Sequence, residues 1–173
     1  MTFLESLRNL DLISVGISVA GIAILGFIVF FNNRKSITNR TFLFFAFVAI
    51  LWSISNYLIY QSSSSELVLL ITRFHMFFST WYSFFIFQLF YVFPEDNKKF
   101  HNRYKSVLLP IVIFTSILAL TPFVLSGIAG EAQAGEVAVI SPGPGIAVFG
   151  VVVIALIGSG IAILIKKLKK ADS

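Results

Sequence analysis

The sequence predicts an all-α membrane protein: a bundle of five transmembrane helices, N-terminus outside and C-terminus cytoplasmic, with a small outer loop or hairpin between helices four and five. Three observations predict it. The 173 residues are 57% hydrophobic and only 12% charged, against about a quarter charged in a soluble domain. The apolar residues fall into five runs, near 12–31, 42–60, 66–93, 106–125 and 146–165, most of them close to the roughly 20 residues a helix needs to cross a bilayer. Basic residues fill alternate connections, which selects one orientation. On this reading residues 1–173 form a single transmembrane domain of a multi-pass cell-membrane protein.

Residues 1–11 have no basic leader and no small-residue cleavage site, so the first run reads as a span and not as a secretory signal. Within it Ser14, Ser18 and Gly21 share a face suited to close helix packing. Residues 32–40, NNRKSITNR, make a basic turn. The second run places Ala46, Ala49, Ser53, Asn56, Tyr57 and Tyr60 on one face, small at its inner end and polar at its outer end. An Asn56 amide left in lipid would be unpaired, so it is expected to bond a neighbouring helix. A structural bond and a ligand contact both fit that expectation. Residues 61–65, QSSSS, form a short polar loop.

The third run is chemically the richest. A helix over 66–93 is roughly 42 Å long at about 1.5 Å per residue, longer than a hydrocarbon core of about 30 Å. Thr72, His75, Ser79, Tyr82 and Ser83 lie on one stripe of this helix, with Arg73 and Thr80 on a neighbouring face. Such a stripe is costly against lipid and should face other helices or a wet cavity. Arg73 lies about one turn below the outer surface and is expected to snorkel towards Glu66, Glu131 or Glu136. His75 fits either a hydrogen-bonded interhelical role or a pH-sensitive ligand contact. Trp52 and Trp81 read as packing or interface anchors.

Pro94 ends the third helix and a second basic loop follows. In the fourth run Pro110 should bend the helix, and Thr121-Pro122 should terminate it. The 126–145 loop is rich in Gly and small residues, yet Glu136 to Ile140 has strand character. A small hairpin turning near Gln133, Ala134 and Gly135 is therefore expected. The fifth run carries Gly150, Gly158 and Gly160 and ends in KKLKKADS.

Orientation follows from charge. Arg34, Lys35 and Arg40, then Lys98, Lys99, Arg103 and Lys105, then Lys166, Lys167, Lys169 and Lys170 occupy one side. The other side has Arg8 and most of the acids, namely Glu5, Asp11, Glu66, Glu131 and Glu136. Short loops rich in Lys and Arg mark the cytoplasmic face. This basic charge reads as membrane orientation, so no nucleic-acid partner is expected; the lipid bilayer is the expected partner.

The same inventory excludes several chemistries. No Asp or Glu lies inside a run, which argues against a carboxylate proton relay or an aspartyl pair in the membrane. There is no cysteine, and the histidines are His75 and His101, so three ligands for a metal are not available. No nucleotide-binding, metalloprotease or serine-hydrolase pattern occurs. No catalytic residues, metal or cofactor are expected.

Several residues, taken in order, carry a resemblance. Asn39-Arg40-Thr41-Phe42 opens the second helix and Leu51-Trp52-Ser53 lies in its middle. Arg73 and Trp81 follow in the third, Phe93-Pro94 ends it, and Thr121-Pro122 closes the fourth before an outer loop leading to Gly143-Pro144-Gly145. This order resembles the N-terminal seven-helix membrane region of histidine kinases. The resemblance implies a sensor that passes a signal to cytoplasmic PAS and kinase domains. The chain departs from that pattern in having five runs, with no phospho-acceptor or ATP-binding boxes after Lys170. It therefore looks like the first five helices of such a sensor, truncated or stand-alone.

The leading expectation is a membrane sensor or receptor module, with ligand contacts among Asn56, Tyr60, Arg73, His75, Ser79 and Tyr82. Expected partners are a cytoplasmic signalling domain or kinase, or a second copy of the chain. The alternatives are a small transporter or channel subunit, in which the polar stripes line a path, and a structural scaffold, in which they serve packing alone.

Overall fold

The computed structural model describes residues 3–94, 104–130, 134–135 and 138–171. Five α-helices are present among them: α1 (Phe3–Asn32), α2 (Ile37–Gln61), α3 (Ser65–Val92), α4 (Leu109–Ala119) and α5 (Ile146–Ala171). A two-stranded antiparallel hairpin, β1 (Leu125–Ile128) with β2 (Ile140–Pro142), joins α4 to α5. Three helical stretches, 12–32, 37–61 and 146–170, are long and apolar enough to span a membrane. These are the features of a membrane protein.

Helix starts and stops follow local chemistry. Ser36 caps α2 by accepting the Asn39 N–H, and Ser64 caps α3 by accepting the Leu67 N–H. α4 begins with Pro110 in its first turn, where a missing N–H costs no helical bond. A π-helical turn, Tyr104–Leu108, leads directly into α4 just before Pro110. α4 stops at Ala119, short of the expected 125. The physical reason is Pro122, which disfavours helix at Thr121. The Thr121 hydroxyl instead donates to the Leu118 carbonyl at 2.7 Å, and residues 125–128 leave as a strand.

α3 is the hub. It packs against α2, α4, α5 and β1, while α1 packs on α2. Its neighbours cover part of its polar stripe. Val68, Thr72, Thr80, Ser83, Phe84 and Val92 are buried. Phe84 meets Val112 of α4 and Leu156 of α5, with Trp81 and Tyr104 packed around them. Two glycines set the close approaches. A β-carbon on Gly26 would sit 2.9 Å from Ala46, and one on Gly160 would sit 3.1 Å from the Phe87 α-carbon.

The expected packing face at Ser14, Ser18 and Gly21 is not used within the described chain. The two serines and the glycine are exposed, and the Ser18 hydroxyl donates to its own helix at Ser14. The α1–α2 contact is made one to two turns later, at Gly26.

The bundle has two distinct ends. Val29, Asn39, Phe90 and Leu164 surround one cleft, so the C-terminal ends of α1, α3 and α5 meet the N-terminal end of α2. Lys167 adds to this by donating to the carbonyls of Phe90 at 3.1 Å, Tyr91 at 2.7 Å and Phe93. These are terminal acceptors of α3 that have no helical partner. Arg34, Lys35, Arg40 and the α5 lysines thus gather at one end. His101, Lys98, Lys99, Arg103, Glu131, Gln133, Glu136 and Val137 lie outside the described residues.

The hairpin lies at the other end. Its register pairs Leu125 with Pro142, Gly127 with Ser141 and Ile128 with Ile140, with a bulge at Ser126. The outgoing strand was expected near 136–140, and within the described residues it is 140–142; its partner comes from what was expected to be the end of the fourth span. Gly143 and Gly145 close the hairpin. A β-carbon on Gly143 would fall on the Phe123 carbonyl, and one on Gly145 on the Phe123 ring. Without side chains they donate to Val124 and Phe123 at 2.9 and 2.8 Å.

Candidate functional site

The hairpin-side half of the α2–α3 interface holds a continuous polar seam. The Trp52 indole N–H donates to the Ser79 hydroxyl at 2.9 Å, and that hydroxyl donates to the His75 carbonyl at 2.8 Å. About one turn closer to the hairpin, the Ser55 hydroxyl lies 2.8 Å from the Trp52 carbonyl and 3.0 Å from His75 Nδ1. Ser55 has one proton to give. If Nδ1 carries a proton, Ser55 accepts it and donates to Trp52; if Nδ1 is bare, Ser55 donates to the imidazole. The hydroxyl therefore follows the state of the ring.

Aromatic contacts fix the seam laterally. The Trp52 ring lies 5.0 Å from His75 and stacks on Tyr82 at 5.8 Å. Tyr82 also meets Phe45 at 5.1 Å. Rings at these separations resist relative sliding of the two helices, because they interdigitate within van der Waals reach.

Above the seam, Arg73 ties α3 to the hairpin. Its Nη2 donates to the Leu125 carbonyl at 2.9 Å. The acceptor is a backbone carbonyl of β1; of the carboxylates expected to meet Arg73, Glu131 and Glu136 lie outside the described residues. Its Nε–H is buried with no acceptor among the described residues. The Gly135 N–H donates to the Tyr60 carbonyl at 2.8 Å, so the hairpin loop is also attached to the end of α2.

The six residues expected at a site therefore divide. His75, Ser79 and Tyr82 come together on the seam, and Arg73 stands over it. Asn56 is exposed and has no side-chain hydrogen bond among the described residues; Tyr60 is 40% exposed. The expected bond from Asn56 to a neighbouring helix is thus not made. The α2 face that meets α3 carries Val48, Trp52 and Ser55, about 100° from the Asn56 face. Ala46 turns to α1 instead, against Gly26. Sequence reasoning missed Ser55. Its signal is the 48, 52, 55 spacing, on which Trp52 supplies the bulk that a helix contact needs.

Thr72, Thr80 and Ser83 donate to carbonyls of their own helix at 2.7, 3.2 and 2.8 Å. Trp81 packs against the cluster of Phe84, Val112 and Leu156, and its indole N–H is buried without an acceptor among the described residues. Among the described residues no three His, Asp or Glu side chains gather to hold a metal. The seam offers one imidazole, three hydroxyls and one guanidinium. That set suits reversible hydrogen-bond exchange, with Ser55 and His75 as its hydroxyl–imidazole pair.

A family model described as the N-terminal 7TM region of histidine kinase matches residues 14–173. Searches of curated proteins and of solved structures gave no match.

Proposed function

The chain belongs to this family of N-terminal 7TM regions of histidine kinases, and from that premise we propose that it is a membrane sensor module whose reading element is the α2–α3 seam. The observation that carries this is the Ser55–His75–Trp52–Ser79 hydrogen-bond set lying below a hairpin that Arg73 holds. A ligand or a change in the bilayer that moves the hairpin pulls on α3 at Arg73. The seam then exchanges hydrogen bonds, and α3 shifts against α2. Arg73 also supports a polar ligand, because its Nε–H lacks an acceptor. The contacts we propose are His75, Ser79, Tyr82 and Arg73, joined by Ser55.

Five membrane crossings, with the hairpin outside and the basic end cytoplasmic, complete the reading. The gathering of Arg34, Lys35, Arg40 and the α5 lysines at one end supports it through the positive-inside rule. The signal would leave at that end, towards a cytoplasmic signalling domain or kinase, or through a second copy of the chain.

One observation favours the scaffold alternative. The hydroxyls of Ser55, Ser79 and Ser83 are all satisfied within the protein, as packing alone would require. Tryptophan fluorescence separates the two. Trp81→Phe removes an indole N–H that has no acceptor and leaves Trp52 as the sole tryptophan. In nanodiscs of short-, medium- and long-chain phosphatidylcholine, and with added polar solutes, Trp52 emission should shift, and His75→Ala should abolish the shift. Emission that is flat under every condition, or identical in His75→Ala, would leave the scaffold reading standing.

A further inference from the structure

At the basic end of the bundle, α1, α2, α3 and α5 leave a half-open cleft of about 400 Å³. Phe42, Phe90, Phe93 and Leu164 form its apolar walls, and Thr38 and Asn39 form its polar edge. The seam does not use it. The volume falls in the range of small-ligand sites, about 300–1,000 Å³. A helix with its side chains is about 10–12 Å across and would not enter.

The polar edge is specific. Asn39 directs its amide N–H groups to the carbonyls of Val29 at 2.7 Å and Asn33 at 3.2 Å. Thr38 Oγ1 is buried with no hydrogen-bond partner among the described residues. A helical threonine ordinarily donates to the carbonyl four residues back. Here Thr38 is the second residue of α2, so that carbonyl, of Arg34, precedes the helix; it accepts the Arg40 Nε–H at 2.8 Å. The hydroxyl is therefore an orphaned donor inside an apolar cleft. It is also the second residue of the 25-residue helix α2, where the helix dipole and first-turn N–H groups favour an anion.

Charge points the same way. Lys167 bonds the carbonyls of Phe90 and Phe93, so its ammonium lies at the rim of the cleft these residues line. Arg34, Arg40, Lys166 and Lys170 belong to the same end. An amphiphile with an apolar chain and an anionic head is the complement of this arrangement.

We propose that the cleft binds one anionic phospholipid, with an acyl chain between Phe42, Phe90 and Leu164 and its phosphate accepting from Thr38 beside Lys167. The inference rests on the membrane assignment and not on the sensing role. A lipid seated there bridges α1–α2 to the ends of α3 and α5.

The test is native mass spectrometry of the full chain in mild detergent, with dioleoyl phosphatidylglycerol and dioleoyl phosphatidylcholine supplied equally. One phosphatidylglycerol per chain should be retained, about tenfold over phosphatidylcholine. Leu164→Trp, which fills the cleft, should remove that adduct. Thr38→Val keeps the shape and removes the hydroxyl. It should bring the two lipids towards parity while the unfolding temperature holds or rises, since an unsatisfied buried donor is gone. This second variant decides the matter if Leu164→Trp does not fold. Equal retention of both lipids by the wild type overturns the proposal. So does retention of oleate without phosphatidylglycerol, or a wild-type preference in Thr38→Val.

Discussion

Ser55 and Asn56 are neighbours in sequence with opposite surroundings. Ser55 is 5% exposed and within hydrogen-bond distance of His75, whereas Asn56 is exposed. One residue along a helix is a rotation of about 100°, enough to move a side chain from an interface to the surface. Interhelical hydrogen bonds in membranes contribute about 0.6 kcal/mol on average and up to about 1.7. Ser55→Ala should therefore lower stability by about that range, and Asn56→Ala should stay within about 0.5 kcal/mol of wild type. Unfolding in mixed detergent micelles reads both. A larger loss for Asn56→Ala than for Ser55→Ala would show that the seam is misplaced. Trp52 illustrates the same scale: read as an anchor, it is a donor to Ser79 as well.

At the scale of elements, the hairpin depends on close backbone approach. Gly143 has the Phe123 carbonyl where a β-carbon would stand, whereas Gly127 has nothing within 4 Å of that position. Gly143→Val should force the turn open, with an overpacking cost of about 1–3 kcal/mol. Gly127→Ala should be nearly silent. Limited proteolysis of the 126–145 loop measures the difference, with cleavage several-fold faster in Gly143→Val alone. Equal rates would mean that the turn is held elsewhere, at Arg73 and Leu125. α4 makes a related point. Thr121-Pro122 was legible as its terminator, but the length lost before that terminator was not. The reason is that residues 125–128 have an apolar pattern that serves a strand as well as a helix end.

For the whole molecule, the absence of cysteine allows single-cysteine mapping without background. Ser63 follows α2 at the hairpin end and Lys169 is exposed near the end of α5. On intact cells a membrane-impermeant maleimide should label Ser63→Cys, and should label Lys169→Cys only after permeabilisation. The reverse pattern would invert the orientation and place the α2–α3 seam nearer the cytoplasm. α1 deserves comment at this scale. Its first half exposes Leu12, Ile13 and Ile17 at 51%, 56% and 68%, while Gly26 in its second half is buried against α2. The small-residue face at Ser14, Ser18 and Gly21 is therefore a surface of the described chain.

The sequence alone determined the membrane class, the five helical runs, the family and the clustering of polar residues in the third helix. Each of these rests on composition or on periodicity along one chain, which transfer free energies and the helical repeat fix locally. A hairpin was legible from the strand character before Ile140, but its strands, 125–128 and 140–142, and the close approach of Gly143 to Phe123 were not. The tertiary structure decided which face of α2 meets α3, that Arg73 reaches Leu125, that Lys167 caps α3, and that Thr38 is left without a partner. Periodicity gives a helix two or three equivalent faces, and only packing against specific neighbours chooses among them. In α2 that choice was made by Gly26 drawing Ala46 to α1 and by Trp52 filling the gap to α3.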